Sequence, residues 1–436
     1  MKLQSSVHRL ARTALVGLAV AAIPASAVAV SAGEPNPGTI KLVSVGPAGG
    51  GGNSDSASGT EKGLGVSANG RYTVFSSGAS DLVPNDTNER RDVFVRDRLT
   101  GRTTLVSVGV TGGQGNGESR QGSISADGRF VAFNSNATNL FPGDTNNSPD
   151  VFVRDLHTGR TTLASVGTGG GLADNGAHQP EISADGRHVV FTSGSTNLVA
   201  GDTNDTEDVF VRDLRSRRTE RVSLTADGQQ RDIYSREPAI SGDGRFVAFV
   251  TEGPSLAVHD RKKNTTRVVS EGVTVDPQSF MTEIGYPSFS DDGRFLLFTV
   301  IGWLGPDPVP NVWLRDLQTN GLELVSTDHL GRPSSAIGPV FRGDVSADGR
   351  YVTFGTPGRM TPADQGDLSD VFRLDRKTGT RVWISRGQDQ TAGGNGSVGP
   401  AISSDGKHVA FESDNPTLIP NGAGLQTYEW SSTRPR

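Results

Sequence analysis

The chain has 436 residues, contains no cysteine and carries a formal net charge of −6 at neutral pH. The absence of cysteine excludes disulfide bonds, so stability must come from packing. The acidic balance argues against a nucleic-acid partner or an anionic membrane surface, since either would require a basic face. Residues 1–32 hold three basic residues and no acid, so their removal would leave a net charge of −9.

Residues 1–32 have the pattern of a secretory signal peptide. Lys2, Arg9 and Arg12 precede a short apolar run, and small-residue cleavage sites follow at residues 25–27 and 30–32. A membrane anchor is the alternative, but it would need a longer apolar span. We therefore predict cleavage of this segment and a secreted or cell-envelope location, without stable membrane insertion.

From residue 39 onward the chain consists of one unit repeated seven times. Each copy carries the signature Ser-x-Asp/Asn-Gly, and the steps between copies are 58, 58, 58, 49, 56 and 57 residues. The signature serines are Ser67, Ser125, Ser183, Ser241, Ser290, Ser346 and Ser403. A near-constant period of this size predicts a repeat architecture, in which one unit determines the fold.

Each unit is predicted to form four short strands. In copy two, the first strand ends in the signature, and Asp127-Gly128 suits a tight hairpin turn because both residues accept positive φ. The later strands are predicted at residues 130–134, 151–155 and 161–166. The third strand has no polar alternation, which indicates burial on both faces. Such a four-stranded sheet packed between two like sheets is typical of a propeller blade.

The chain ends supply the closure of the ring. Copy seven lacks a fourth strand, whereas residues 39–45 have the pattern of one and match no other element. We therefore predict an all-β fold, a seven-bladed β-propeller of four-stranded antiparallel blades. It would form a single domain over residues 39–431, with the N-terminal strand completing blade seven and leaving no open gap.

The repeat S-x-D-G-R-x-V-A-F … D-V-F-V-R-D … T-x-L-V-S resembles the TolB-like, WD-type propeller repeat of bacterial exported proteins. The resemblance runs from about Thr39 to Trp430 and does not extend to the N-terminal α/β domain of TolB. It therefore implies the propeller fold and an exported protein, but not the Tol–Pal role.

Connectivity predicts two different faces for the propeller. The turns after strands one and three share one face and are short. The loops after strands two and four share the other face and are long, polar and rich in glycine. The segments 47–65, 109–122, 167–179 and 387–399 are interpreted as blade-to-blade connections, and blade four should have the shortest loop after its second strand. Binding residues usually lie on such loops.

The loop after strand two carries oxygen-bearing side chains at i, i+2 and i+6, which could wrap Ca²⁺ together with carbonyls and water. The alternative is structural, with Asx turns and a final Asp at the start of strand three. The candidate ligands are Asp86, Asn88 and Asp92, Asp144, Asn146 and Asp150, Asp202, Asn204 and Asp208, and Asp364 and Asp370. No cofactor is expected to be required, and Ca²⁺ is the only candidate.

Other patterns suggest structure more than chemistry. The Arg-Asp dipeptides at the end of strand three, such as Arg154-Asp155, could form a charged ring or pair between blades. His188 and His408 take the place of an aromatic strand residue. The sequence has no cysteine nucleophile, no G-x-S-x-G elbow and no zinc-spaced histidine pair.

These features favour a monomeric, non-enzymatic scaffold that binds an envelope or extracellular protein or glycan through its long-loop face. The alternative is a secreted propeller enzyme, a glycosidase, lyase or peptidase-like protein, with acidic residues at the central channel. A cluster of buried carboxylates with perturbed pKa at the channel would favour the enzyme.

Overall fold

The computed structural model describes residues 38–56, 63–253, 255–273, 280–304, 307–334, 342–364, 366, 368–387, 396–419 and 424–432. The predicted signal peptide lies outside these residues. Within them the chain forms 28 strands and a single turn of 3-10 helix at Thr168–Gly170. No helix in the described part of the chain is long and apolar enough to cross a membrane.

The strands form seven separate four-stranded antiparallel sheets, one for each repeat. The N-terminal strand is β1 (Gly38–Leu42). Blade one contains β2 (Gly65–Val66), β3 (Tyr72–Ser77), β4 (Asp92–Asp97) and β5 (Arg102–Leu105). Blade two contains β6 (Ser119–Ile124), β7 (Phe130–Ser135), β8 (Asp150–Asp155) and β9 (Arg160–Leu163). Blade three contains β10 (Ala177–Ile182), β11 (His188–Ser193), β12 (Asp208–Asp213) and β13 (Arg218–Arg221).

The remaining blades follow the same order. Blade four contains β14 (Arg236–Ile240), β15 (Phe246–Thr251), β16 (Ser255–Asp260) and β17 (Thr265–Val268). Blade five contains β18 (Phe280–Phe289), β19 (Phe295–Leu304), β20 (Asp307–Asp316) and β21 (Leu322–Leu324). Blade six contains β22 (Gly343–Val345), β23 (Tyr351–Thr356), β24 (Asp370–Asp375) and β25 (Thr380–Trp383), and blade seven β26 (Ser397–Ile402), β27 (His408–Ser413) and β28 (Gln426–Ser432).

The predicted ring closure is confirmed. β1 pairs antiparallel with β28, with Gly38 opposite Ser432 and Leu42 opposite Tyr428, so blade seven has the order β26-β27-β28-β1. The strand is shorter than the predicted 39–45. Beyond it, Val43 still donates its N–H to the Thr427 carbonyl at 2.8 Å. The two ends of the chain are therefore held in one sheet.

The signature turn has the same hydrogen bonds in each blade, as copy two shows. Ser125 Oγ donates to Asp127 Oδ1 at 2.6 Å and accepts the N–H of Phe130 at 2.9 Å. Asp127 Oδ1 also accepts the N–H of Arg129 at 2.9 Å. The signature Asp is thus a turn residue, as predicted, and the serine is fully buried behind it.

The aromatic or histidine side chain that begins the second strand of each blade packs against the signature glycine of the next blade. Gly128 of blade two has φ +74° and lies so close to Tyr72 of blade one that a Cβ there would meet the ring at 2.1 Å. The same contact recurs around the whole ring between Phe130 and Gly186, His188 and Gly244, Phe246 and Gly293, Phe295 and Gly349, Tyr351 and Gly406, and His408 and Gly70. His188 and His408 are therefore strand residues in an aromatic position, which confirms that prediction.

The hydrophobic core lies between adjacent sheets. In blade two, the rings of Phe133 and Phe152 lie 5.9 Å apart, and both side chains are fully buried. The Val-Phe-Val segments of the third strands are buried in blades one to three, as expected for strands without polar alternation.

The Arg-Asp dipeptides do not pair between blades as one interpretation predicted. The Asp at the end of strand three instead accepts a bidentate ion pair from the signature Arg of its own blade, at 2.6–2.7 Å. These pairs are Arg71–Asp97, Arg129–Asp155, Arg187–Asp213, Arg245–Asp260, Arg294–Asp316 and Arg350–Asp375. They join the two short turns of one blade, because both turns lie on the same face.

Blade five departs from the repeat. Its first three strands have ten residues each, and only two residues separate β19 from β20, against three between β15 and β16. The prediction that blade four has the shortest loop was therefore wrong. The apolar segment around Val300 and Ile301 continues the ladder, whereas the other copies form a loop there.

Candidate functional site

A central cavity of about 180 Å³ lies on the axis of the propeller. First-strand segments of all seven blades line it, and its charged side chains are Glu181, Asp291, Arg342 and Asp344. The channel that the sequence predicted is therefore present, but it is small and holds few ionisable groups.

Asp344 accepts hydrogen bonds from three neighbouring segments. Its Oδ1 accepts the Ser288 hydroxyl at 2.6 Å and the Val345 N–H at 2.8 Å, and its Oδ2 accepts the Ile402 N–H at 2.9 Å. Burial, with a smaller contribution from the charge of Glu181, raises the pKa of Asp344 to about 6, and these three hydrogen bonds oppose the shift. The carboxyl connects blades five, six and seven, so its first role is structural.

The first strands carry a second set of contacts between blades. Four residues before the signature serine, the strand bulges and the backbone is left-handed, with φ of 57° at Gln121, 55° at Gln179, 52° at Glu237 and 56° at Tyr286. The N–H of Gln179 donates to Gln121 at 2.9 Å, that of Glu237 to Gln179 at 3.0 Å, and that of Tyr286 to Glu237 at 2.8 Å. Sequence reasoning missed this series, although polar residues at a fixed distance from the signature signalled it.

Hydrogen bonds join the blades at the short-turn end of the cavity. Backbone hydrogen bonds link the small residues after the signature serine, from Ala68 to Ala126 and from Ala126 to Ala184, both at 3.0 Å. Ser404 Oγ donates to Asp291 Oδ2 at 2.6 Å, from blade seven to blade five. These bonds hold the residues that follow the first strands together at this end.

The predicted Ca²⁺ loops hold internal hydrogen bonds in blades one and two. Asn88 Nδ2 donates to Asp92 Oδ2 at 2.7 Å, and its Oδ1 accepts the Arg90 N–H at 2.9 Å. The equivalent Asn146 donates to Asp150 at 3.0 Å. The asparagine thus presents an amide donor to the carboxylate, and burial raises the pKa of Asp92 to about 6 while bonds from Ser107 and Asn88 oppose the shift.

The first Asp of these loops has different partners in each blade. Asp86 accepts the Gln114 amide at 2.8 Å, whereas Asp144 Oδ1 is buried without a hydrogen-bond partner among the described residues. In blade three, Arg221 lies 3.0 Å from Asp202 and 3.4 Å from Asp208. Asn204 Nδ2 also reaches Asp208 Oδ2 at 3.4 Å.

Blade six lacks the asparagine, because Gly366 occupies its position. Asp364 and Asp370 are almost fully buried, and Asp370 Oδ1 accepts the Ser385 hydroxyl at 2.6 Å. Burial and the charge of Asp370 raise the pKa of Asp364 to about 7, and burial raises that of Asp370 to about 6.

The loops therefore contain the hydrogen bonds that the turn alternative predicts. Among the described residues, no group of three or more His, Cys, Asp or Glu side chains is arranged to hold a metal ion. Ca²⁺ binding stays a prediction.

The long-loop face is the second candidate site. The connection that enters a blade is hydrogen-bonded to the loop after that blade's second strand. Asn116 Nδ2 donates to Thr138 Oγ1 at 2.9 Å, and Asn53 Nδ2 donates to Ser80 Oγ at 3.0 Å. Exposed apolar side chains lie on this face, at Val110, Tyr234, Trp303, Leu330 and Leu368.

Comparisons with known proteins support the fold. No protein-family model matches the chain, and no curated protein matches its sequence. Two solved oligogalacturonate lyases, one in complex with manganese and one from Vibrio parahaemolyticus, are each similar with a TM-score of 0.53 and 13% identity, covering 91% of this chain and 97% of theirs. A structure described as a TolB from Agrobacterium tumefaciens covers 60% of this chain and 79% of its own, with 14% identity and a TM-score of 0.39.

The fold and the two candidate sites define the class of protein. It is a seven-bladed β-propeller scaffold with one compact face of short turns and one face of long, interlocked loops. Its likeness to the lyases is a likeness of fold, and the manganese belongs to the lyase structure that contains it.

Proposed function

We propose that this chain is an exported propeller scaffold that binds an envelope or extracellular protein or glycan through its long-loop face. The observation that supports this is the placement of its exposed apolar side chains. The described residues have seven such large side chains, and five of them are on the long-loop side. Partner-binding surfaces are enriched in aromatic residues of this kind, and Tyr234 and Trp303 are among the five.

The short-turn face offers less for a partner. Its turns are closed by the signature hydrogen bonds, and six of the seven blades add an Arg–Asp ion pair. A surface whose polar groups are already paired gains little when a partner covers it.

The test compares two variants in a pull-down from the native envelope and medium. Trp303→Asp changes the tip of β19 on the long-loop face, and Leu99→Asp changes an exposed apolar side chain in a short turn. We expect a partner to be retained by the wild-type chain and Leu99→Asp, and lost by Trp303→Asp. Equal retention by both variants would contradict the assignment of the face.

A propeller enzyme is the second candidate, favoured by one observation, the raised pKa of Asp344 in the central cavity. The lyase neighbours make oligogalacturonates the first substrates to screen. An enzyme that uses this carboxyl should show a pH profile with an inflection near 6, which Asp344→Asn would remove. Activity with a flat profile through this range would exclude Asp344 as an acid or base.

Ca²⁺ binding to the strand-two loops is part of the proposal, and blade six is its best location. Gly366 takes the place of the asparagine there, so a cation could offset the energetic cost of burying the two carboxylates. Ca²⁺ should raise the melting temperature of the wild-type chain, because a ligand that binds only the native state stabilises it. Gly366→Asn should remove that response, and an unchanged melting curve in excess Ca²⁺ would leave the turn interpretation alone.

A further inference from the structure

A groove of about 740 Å³ runs between the outer edges of blades two and three. Its floor is apolar and includes Phe130, Phe141 and Leu163. Five arginines and two aspartates supply its charged groups, namely Arg160, Arg187, Arg212, Arg215, Arg217, Asp155 and Asp185. On a chain with a net negative charge, this excess of positive charge is local.

The carboxylates in the groove are already engaged. Asp155 accepts the bidentate pair from Arg129, and Asp185 accepts the Ser183 hydroxyl in its own turn. Within the described part of the chain, no carboxylate forms an ion pair with Arg160, Arg215 or Arg217. These three exposed arginines therefore keep their donors available to a ligand.

The repeat supplies an internal comparison. The equivalent groove between blades one and two, of about 700 Å³, is lined by Arg102 and Arg129 against Asp97 and Asp127, so its charges balance. Position by position, Arg215 replaces His157 of that groove. The groove between blades four and five has a smaller excess, with Arg245, Lys263, Arg267 and Arg294 against Asp260 and Asp292. The size of the excess therefore varies from copy to copy, and it is larger between blades two and three.

Arg217 adopts a left-handed backbone conformation, which is unfavourable for arginine. Its φ is 59°, and its N–H closes the turn to the Asp213 carbonyl at 2.8 Å. The other copies place glycine or asparagine at this position, for example Gly159 with φ +70° and Asn264 with φ 53°. An arginine in a left-handed position costs conformational energy, and such strain is typical of functional positions.

Arg217 also lies close enough to Arg212 for their charges to interact. Burial lowers the pKa of Arg212, and the charge of Arg217 lowers it further. Two guanidinium groups concentrated beside an apolar floor favour a bound anion, since a guanidinium fork matches carboxylate and sulfate geometry.

We propose that the groove between blades two and three binds an acidic oligosaccharide, with its anionic groups on Arg160, Arg215 and Arg217 and its sugar faces on the apolar floor. A thin ligand that stays within the groove avoids the negative charge of the remaining surface. A polynucleotide or an anionic membrane would extend over that surface and meet repulsion. This site is separate from the long-loop face proposed above.

The test is calorimetric titration of the mature protein with a uronic-acid oligosaccharide, using its methyl ester as the uncharged control. Arg217→Gly should weaken binding about tenfold, the scale of one charged hydrogen bond. Glycine adopts this φ without strain, so the variant should melt at or above the wild-type temperature, and a loss of binding cannot reflect loss of fold. Arg102→Ala, in the balanced groove, should bind as wild type.

Four results would overturn the proposal. They are wild-type affinity in Arg217→Gly, equal affinity for the methyl ester, tighter binding of a polyglutamate peptide or a single-stranded oligonucleotide, and equal affinity for sulfate alone. Binding that falls with rising salt and is lost in an Arg215→Ala, Arg217→Gly double variant would support it.

Discussion

Removal of β1 should open the ring, and the structure allows an approximate magnitude for the cost. A chain that begins at residue 46 loses the fully buried Val43, which contributes about 1.5 kcal/mol. It also loses two buried hydrogen bonds of Ser44, which donates to Gln426 Oε1 at 2.7 Å and accepts the Thr427 N–H at 3.1 Å, worth about 1 kcal/mol each. The half-buried Ile40 and Leu42 add about 1–2 kcal/mol, so the free energy of unfolding should fall by about 5 kcal/mol.

The assay is denaturant unfolding of chains that begin at residues 33, 38 and 46. The first two should unfold at the same midpoint, and the third well below them, because about 5 kcal/mol is a large part of a domain's stability. The third should also aggregate through the bared edge of β28, and a synthetic peptide of residues 36–47 should restore its midpoint. Equal midpoints for the chains that begin at 38 and 46 would refute the reasoning.

Two further predictions concern local features. Gly128→Ala should lower the free energy of unfolding by about 2–3 kcal/mol, because the new Cβ would lie 2.1 Å from Tyr72. Gly159→Ala is the control, since its φ is similar and its Cβ would meet only Arg154 Nη2, at 3.6 Å; it should cost about 1 kcal/mol. Equal losses in thermal unfolding would contradict the packing argument. Because the pKa of Asp364 is raised from 3.8 to about 7, its burial should cost stability increasingly as pH rises between about 4 and 7. Asp364→Asn should therefore melt above the wild type at pH 8 and level with it at pH 4, and a difference independent of pH would contradict the shift.

The sequence predicted the architecture because the repeat makes every local signal appear seven times. The signature turn, the strand pattern and the unmatched segment near Thr39 were sufficient for the blade count and the closure. Blade five was predicted less well, since apolar residues such as Val300 can continue a strand or pack in a loop, and only the partner strand decides between them.

The sites were harder to predict because they depend on contacts between copies. The sequence placed Arg154-Asp155 at the end of strand three, but it could not show that the signature Arg129 of the same blade pairs with the aspartate. Alignment of the copies shows Arg217 at a position where other copies have glycine. Only the structure shows that its φ is left-handed and that it lines a groove.

The pairing of β1 with β28 should also influence the order in which the blades form. The hydroxyl of Ser44 donates to Gln426, 382 residues later in the chain, so this sheet joins segments that are far apart in sequence. Blades one to six can each form from residues close in sequence, and loop-closure entropy then delays the seventh until the ends meet. We expect the last blade to form in the slowest kinetic phase. A chain that lacks its final strand should remain an open, aggregation-prone array of six blades.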